Sequence, residues 1–376
     1  MRSGAVTYCL RIRADQTGVR ESLTVQLDLG NIARYAHGCA VLGTGGGGDI
    51  RIPLMIAQAA IAECGPVTVI RAEDLADDAL VLPVGGWGAP TVCIEKFDSG
   101  DEGRLLCEAA EGWFKRPVSA LMASEIGGGN GVQLVSWCAR MGLPLIDADG
   151  MGRAFPEGDM CTMHIAGVSP APAFFADERG NVMTTHPIDA LWHERIARHL
   201  VLVSGGVIAG ADHPMDAATV PEATIPATVS LALAIGEALE RDGVDGVLAV
   251  AGGRRLVTGK VVDVERLTSG GFARGVVTVE GTGVDAERVV SIQVQNENLL
   301  ASEAGRTIAC TPDLITIVDA GTGEAISTER IRYGQRVTVI GMPCADVWRT
   351  PRGLEIAGPE RFGYDGPWVP IEEAGL

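Results

Sequence analysis

The densest group of side chains able to do chemistry in this 376-residue chain is Asp147-Ala148-Asp149-Gly150-Met151-Gly152-Arg153, which continues to Glu157 and Asp159. Two carboxylates with an arginine nearby can divide acid–base work: Asp147 or Asp149 takes a proton while Arg153 anchors an anionic or carbonyl group. Closely placed acids also push one pKa upward. The plainer reading is a solvated acidic loop with a local Arg ion pair. Glu125, just before Gly127-Gly128-Gly129-Asn130-Gly131, is a catalytic candidate of the same kind. So is His164, which alternates with Thr162 on an expected strand, although a lone strand histidine is more often a hydrogen-bonded core residue.

An earlier glycine cluster, the first in the chain, is Gly43-Thr44-Gly45-Gly46-Gly47-Gly48-Asp49, which satisfies G-x-G-x-x-G, with Glu73 and Asp74 further on. That pattern invites a dinucleotide, whose pyrophosphate would rest on a helix N-terminus. Against it stand a preceding strand of at most four residues (39–42), the negative charge of Asp49 and a surplus of glycine. A P-loop fails because Asp49 stands where lysine must reach the phosphates. No nucleotide cofactor is expected. Two readings of the loop stay open. In one it is a tight strand-to-helix turn, with Asp49 complementing the helix dipole. In the other, Thr44, Gly45, Gly46, Gly47 and Asp49, joined by Gly128, Asn130 and Arg153, hold a carbonyl or oxyanion. His193-Glu194 is followed by a histidine at 199, which breaks the zinc-protease spacing. His186, His193 and His199 therefore read as surface or interface residues. The nine cysteines form no C-x-x-C and read as buried, reduced thiols. A divalent metal is left open, with Asp49, Asp147, Asp149 and His164 as ligand types of no metal-specific spacing.

These residues need rigid elements behind them. Up to about residue 245, apolar runs such as Val67-Thr68-Val69-Ile70 and Leu80-Val81-Leu82-Pro83-Val84 alternate with helical patterns, among them 102–114, 132–141, 188–203 and 225–241. A hairpin is expected over 173–186, turning at Arg179-Gly180-Asn181. Beyond about residue 245, strand-like segments recur with turn signals and no convincing amphipathic helix. The expectation is a layered α/β domain over 25–245 and a smaller, all-β, barrel-like domain over 246–370. Glycine supports the loop-rich reading: 50 of 376 residues is about twice average usage. A net charge of −18 argues against binding nucleic acid by its phosphates. No apolar run is long enough for a transmembrane helix and the first residues lack a signal-peptide h-region, so a cytoplasmic protein is expected. A mean hydropathy of +0.21 points to a homo-oligomer.

Several stretches together resemble the S-methyl thiohydantoin desulfurase-like family. They are the glycine cluster at 43–49, Gly88-Ala89-Pro90-Thr91-Val92, Glu125-Ile126-Gly127-Gly128-Gly129-Asn130-Gly131 and Asp147-Ala148-Asp149-Gly150-Met151-Gly152-Arg153-Ala154-Phe155-Pro156-Glu157. Further matches are Ala176-Asp177-Glu178-Arg179-Gly180-Asn181, Gly259-Lys260-Val261-Val262-Asp263-Val264, Gly270-Gly271-Phe272-Ala273-Arg274-Gly275 and Gln295-Asn296-Glu297-Asn298-Leu299. The resemblance implies an α/β N-terminal and a β-rich C-terminal domain. It also implies a hydrolase that removes sulfur from a thiohydantoin or S-methyl thiohydantoin ring, a small cyclic substrate. Members of that family are associated with hydantoinase/oxoprolinase-type proteins, so a non-catalytic partner subunit of such an enzyme is the alternative. A dinucleotide-dependent enzyme is the weaker one.

Overall fold

An apolar run such as Leu80-Val81-Leu82-Pro83-Val84 suits a strand covered on both faces, and in the computed structural model it lies inside a ten-stranded sheet. The structure describes residues 25–88, 92, 95–269 and 272–374. Expectations placed on residues 1–24, Ala89-Pro90-Thr91, Cys93 and Gly270-Gly271 lie outside them. Four strands, β2 (Val67–Ile70), β5 (Leu145–Asp149), β4 (Val118–Ala123) and β3 (Leu80–Gly88), run parallel side by side. Antiparallel strands complete the sheet: β1 (Val25–Leu27) on one edge, then β8 (Val207–Ala211), β6 (Ala173–Ala176) and β7 (Val182–Thr185) on the other. Two short strands, β9 (Met215–Asp216) and β10 (Ile225–Pro226), pair with β3 and β5.

The helices are α1 (Ile32–Leu42), α2 (Arg51–Cys64), α3 (Glu102–Phe114), α4 (Gly129–Met141), α5 (Thr162–Ile165), α6 (Ala190–Val203), α7 (Val220–Ala223), α8 (Thr228–Ala251) and α9 (Pro351–Ala357). Helix α1 packs along α8, α2 along α4, and α6 against β3 and β8. Two expectations change. Residues 39–42 are the last turn of α1 rather than a strand, because Cys39, Val41 and Leu42 are all buried and an apolar tetrapeptide carries no period of its own. His164 lies on the single-turn helix α5 rather than on a strand.

Strands β11 (Arg254–Ser269), β12 (Phe272–Gly281), β13 (Val289–Gln295), β14 (Glu297–Glu303), β15 (Arg306–Cys310), β16 (Leu314–Asp319) and β17 (Arg336–Met342) form a second, wholly antiparallel sheet. It curls into a half-barrel around Val257, Val279, Ile292, Ile317 and Val339, so the chain is an α/β domain joined to a barrel-like β domain. The β13–β14 hairpin turns on Asn296, at φ 58°, and is tied to the first glycine loop. Asn298 N donates to Thr44 O and Thr328 N to Gly45 O, both at 2.8 Å. Among the described residues no helix is long and apolar enough to cross a membrane.

Candidate functional site

The two glycine clusters interlock. Gly128 N donates to Cys39 O at 2.7 Å, Gly129 N to Gly48 O at 2.8 Å and Asn130 N to Gly47 O at 3.1 Å. The Gly47 amide bonds the Glu297 carboxyl. These amides hold loop to loop and domain to domain instead of facing a substrate oxygen. The surplus glycine follows from that closeness. A Cβ on Gly46 would sit 1.9 Å from Glu297 Oε1, and one on Gly47, at φ 69°, would sit 2.2 Å from Gly127 O. Residues 43–49 join α1 to α2 and lack the strand of a dinucleotide fingerprint. Asp49 takes the helix-terminus role: its Oδ1 accepts Arg51 N at 2.9 Å, and its carboxylate pairs with Arg51 and Arg330.

A cleft of about 150 Å³ opens between the domains, beyond the carboxyl ends of β3 and β4, where ligands collect in open α/β sheets. Of the residues singled out from sequence, Gly47, Asp49, Glu125 and Asn130 line it. Gly45, Gly46 and Gly128 face a separate hollow on the other side of the loop, of about 410 Å³.

Glu125 is the best-placed acid. It follows β4, is buried, and accepts Asn130 Nδ2 at 2.8 Å and Phe155 N at 3.0 Å. Asn130 in turn accepts Gly86 N at 2.9 Å through its Oδ1. Burial raises the Glu125 carboxyl to about 7, against hydrogen bonds that pull it down. Glu297, from the hairpin tip of the other domain, also lines the cleft. Burial first, and the nearby Glu125 second, push it well above the ordinary carboxyl range, while Arg153 pulls the other way. Ser124 lines the same cleft, and its hydroxyl has no hydrogen-bond partner among the described residues.

Other candidates are placed elsewhere. Arg153 is buried, with Nε on Ala154 O, one terminal nitrogen on Pro312 O and Asp313 O, and the other on the Thr44 hydroxyl. It and Thr44 stitch the domains together. Burial lowers the guanidinium to about 10, opposed by Glu297 and other acids. Asp149 sits in a ring of amides, accepting Ile126 N at 2.9 Å, Met151 N at 3.0 Å and Gly152 N at 2.8 Å. Burial raises it to about 6 in spite of them. Asp147 points to α8, where it accepts Ser230 N at 3.0 Å and the Ser230 hydroxyl at 2.5 Å. The His164 ring contacts Asp159 O and Arg352. The second glycine loop and Asp149 are thus adjacent, but neither Asp147 nor Asp149 lines the cleft. Asp49, Asp147, Asp149 and His164 do not converge, and among the described residues no three His, Cys, Asp or Glu side chains gather as a metal cluster.

Sequence reasoning missed Glu297, and with it Cys161 and Asp212, which line the same cleft. The adjacent acid and imidazole of Asp212-His213 are the one local signal that marks them. His193 is fully buried against Trp87 and Phe175 rather than on the surface, whereas His186 and His199 are exposed.

Comparison with known proteins gives adjoining family matches: the S-Me-THD-like N-terminal domain over residues 30–187 and the S-Me-THD-like C-terminal domain over residues 188–371. Their junction precedes α6, so β8, β9 and β10 come to the first sheet from the second family domain. A crystal structure of a protein from Chromobacterium violaceum is similar at 25% identity with a TM-score of 0.74, over 92% of this chain and 100% of that one. No curated protein matches the chain. The chain belongs to the S-Me-THD-like family, of which it carries both domains.

Proposed function

We propose that this chain is a hydrolase that removes sulfur from a small cyclic thioamide or thioimidate, with an S-methyl thiohydantoin as its substrate. The observation that carries the reading is the pair of buried carboxyls, Glu125 and Glu297, brought from different domains to one cleft and raised to different extents. Two acids held apart in this way divide the roles of base and acid near neutral pH. Water adds to the ring carbon between the two nitrogens. Glu125 takes its proton, and Glu297 donates to the ring nitrogen on which charge develops. Collapse then breaks the carbon–sulfur bond, methanethiol leaves with the proton from Glu125, and the hydroxyl proton of the adduct passes to Glu297 as the carbonyl of hydantoin forms. Size and lining agree: the cavity of about 150 Å³, walled in part by Ile52, Pro53 and Trp87, is smaller than the ~300–1,000 Å³ of pockets for drug-sized ligands. It suits a single ring.

A second reading, a non-catalytic subunit bound to a hydantoinase/oxoprolinase-type enzyme or to another copy of itself, is favoured by one feature. Ile188, Leu191, Leu202 and Val203, on and beside α6, are exposed, the kind of apolar surface an interface covers. Incubating the isolated chain with S-methyl thiohydantoins separates the readings. Release of methanethiol and hydantoin in equal amounts, without any partner, is the result expected of the hydrolase; no release across the panel overturns it.

A further inference from the structure

Resting on the hydrolase reading, we propose that Cys161 is the nucleophile of this cleft, with His213 as its proton acceptor and Asp212 as the group that orients His213. Cys161 lines the cleft next to the acid site. Thr162 N, one residue on, donates to Gly150 O at 2.7 Å, and Gly150 N donates to Ser124 O at 3.1 Å, immediately before Glu125. Behind the sulfur, His213 Nε2 lies 3.9 Å from Cys161 Sγ, and His213 Nδ1 lies 2.6 Å from Asp212 Oδ1. The far oxygen of Asp212 is 3.4 Å from His193 Nε2, which backs the chain from the core. This is the order of parts in an activated thiol: nucleophile, base, and a carboxylate that fixes the base.

A His–Asp pair serving only the core needs no thiol at its open end, and this one ends on the sulfur of Cys161, a residue that is buried but lines the cleft. The backbone adds to the argument. His213 is held at φ 49°, a left-handed conformation that costs a non-glycine residue energy and concentrates at functional sites. Burial opposes a charged His213 ring, but the Cys161 sulfur and the Asp212 carboxylate more than offset it and raise the ring to about 10. Among the described cysteines, no other thiol is placed beside an imidazole. Burial pushes Cys107 up to about 12 and Cys310 up to about 11, and neither lines the cleft.

With Cys161 attacking first, the water and Glu125 of the hydrolase reading act on the enzyme-bound ring rather than on the free substrate, and the chemistry closes in two displacements. His213 Nε2 takes the Cys161 proton and the sulfur bonds to the ring carbon between the nitrogens. The bond from that carbon to the methylthio group breaks, and methanethiol leaves with the proton from His213. The ring is left on Cys161 as a thioimidate. Water then adds to the same carbon, giving its proton to Glu125. The bond to Sγ breaks, Glu125 passes the proton to the leaving sulfur, and hydantoin is released. The sum is S-methyl thiohydantoin plus water giving hydantoin plus methanethiol.

The test is acid quench of the whole chain during turnover of S-methyl thiohydantoin, with intact and peptide mass spectrometry. The expected result is an adduct on the Cys161 peptide of the ring's mass less methanethiol. It is absent in Cys161→Ala, whose turnover falls by about 10³-fold or more. It forms more slowly in His213→Asn, a residue that tolerates the left-handed backbone. If Cys161→Ala turns over substrate at the wild-type rate, the nucleophile is overturned and the hydrolase reading stands, with water attacking directly. If the wild type turns over no thiohydantoin, the hydrolase reading fails, and alkylation of the unmutated chain by iodoacetamide at pH 7 decides for the thiol. Labelling of Cys161 about tenfold faster than the exposed Cys64, lost in His213→Asn, supports an activated nucleophile; labelling no faster than Cys64 overturns it.

Discussion

Two buried carboxyl sites border the second glycine loop, Glu125 in sequence and Asp149 in space through Ile126 N, and they do opposite work. Asp149 and Glu125 are both removed from solvent, and burial raises both, to about 6 and about 7. Asp149 is met by three backbone amides, from Ile126, Met151 and Gly152, so it fixes the turn after β5 against the glycine loop. Glu125 has one amide and one side-chain donor, borders open space, and faces a second acid across a domain boundary. Glu297 Oε2 has no hydrogen-bond partner among the described residues. A buried acid saturated by the backbone holds a fold, whereas one left partly unsatisfied beside a cavity is available for a proton transfer.

The contrast breaks most visibly at Asp149. Asp149→Ala strands three buried amides and is expected to cost about 3–5 kcal/mol, read from chemical denaturation; a loss of turnover with full stability would move Asp149 into the chemistry. Next comes pH. Glu125 is raised from 4.5 to about 7, so between those values the native state binds more protons than the unfolded one. The stability it contributes is full below about pH 4.5 and is lost as pH rises to about 7, a change of about 3 kcal/mol at ~1.4 kcal/mol per unit. Denaturation of Glu125→Gln across that range should show the falling limb reduced by this amount; an unchanged limb would place the proton elsewhere. Gly46→Ala drives a methyl into Glu297 and is expected to cost about 1–3 kcal/mol, with turnover falling because the carboxyl moves. Asp147→Asn, which weakens a contact at the start of α8, should cost about 1 kcal/mol or less and leave turnover unchanged, to be checked by melting temperature and initial rates.

Much of the architecture is legible in the residues. Helix α3 follows from its 3.6-residue periodicity, the β6–β7 hairpin from Arg179-Gly180-Asn181, and the β domain from its recurring β-branched runs. The cleft is less legible, because its parts meet only through tertiary structure. Glu125 could be singled out beside its glycines, but Glu297 reaches it from a hairpin tip in the other domain. Cys161 meets His213 across 52 residues, where the loop after β5 folds back onto the end of β8. The acidic loop attracted attention by its density of charge, yet local density does not reveal that one carboxylate is taken by amides and the other by α8. The four-glycine run has a reason invisible in sequence, since it is squeezed between Gly127 and Glu297.

The most direct measurement is the pH profile of kcat for S-methyl thiohydantoin hydrolysis by the wild type and by Glu125→Gln, with circular dichroism to establish that both are folded. The wild-type profile should rise through about pH 7 as Glu125 ionises, and the folded variant should lie about 10²–10⁴-fold lower and lose that rise. A folded Glu125→Gln with the wild-type rate and profile would contradict the assignment of this cleft as the site of hydrolysis.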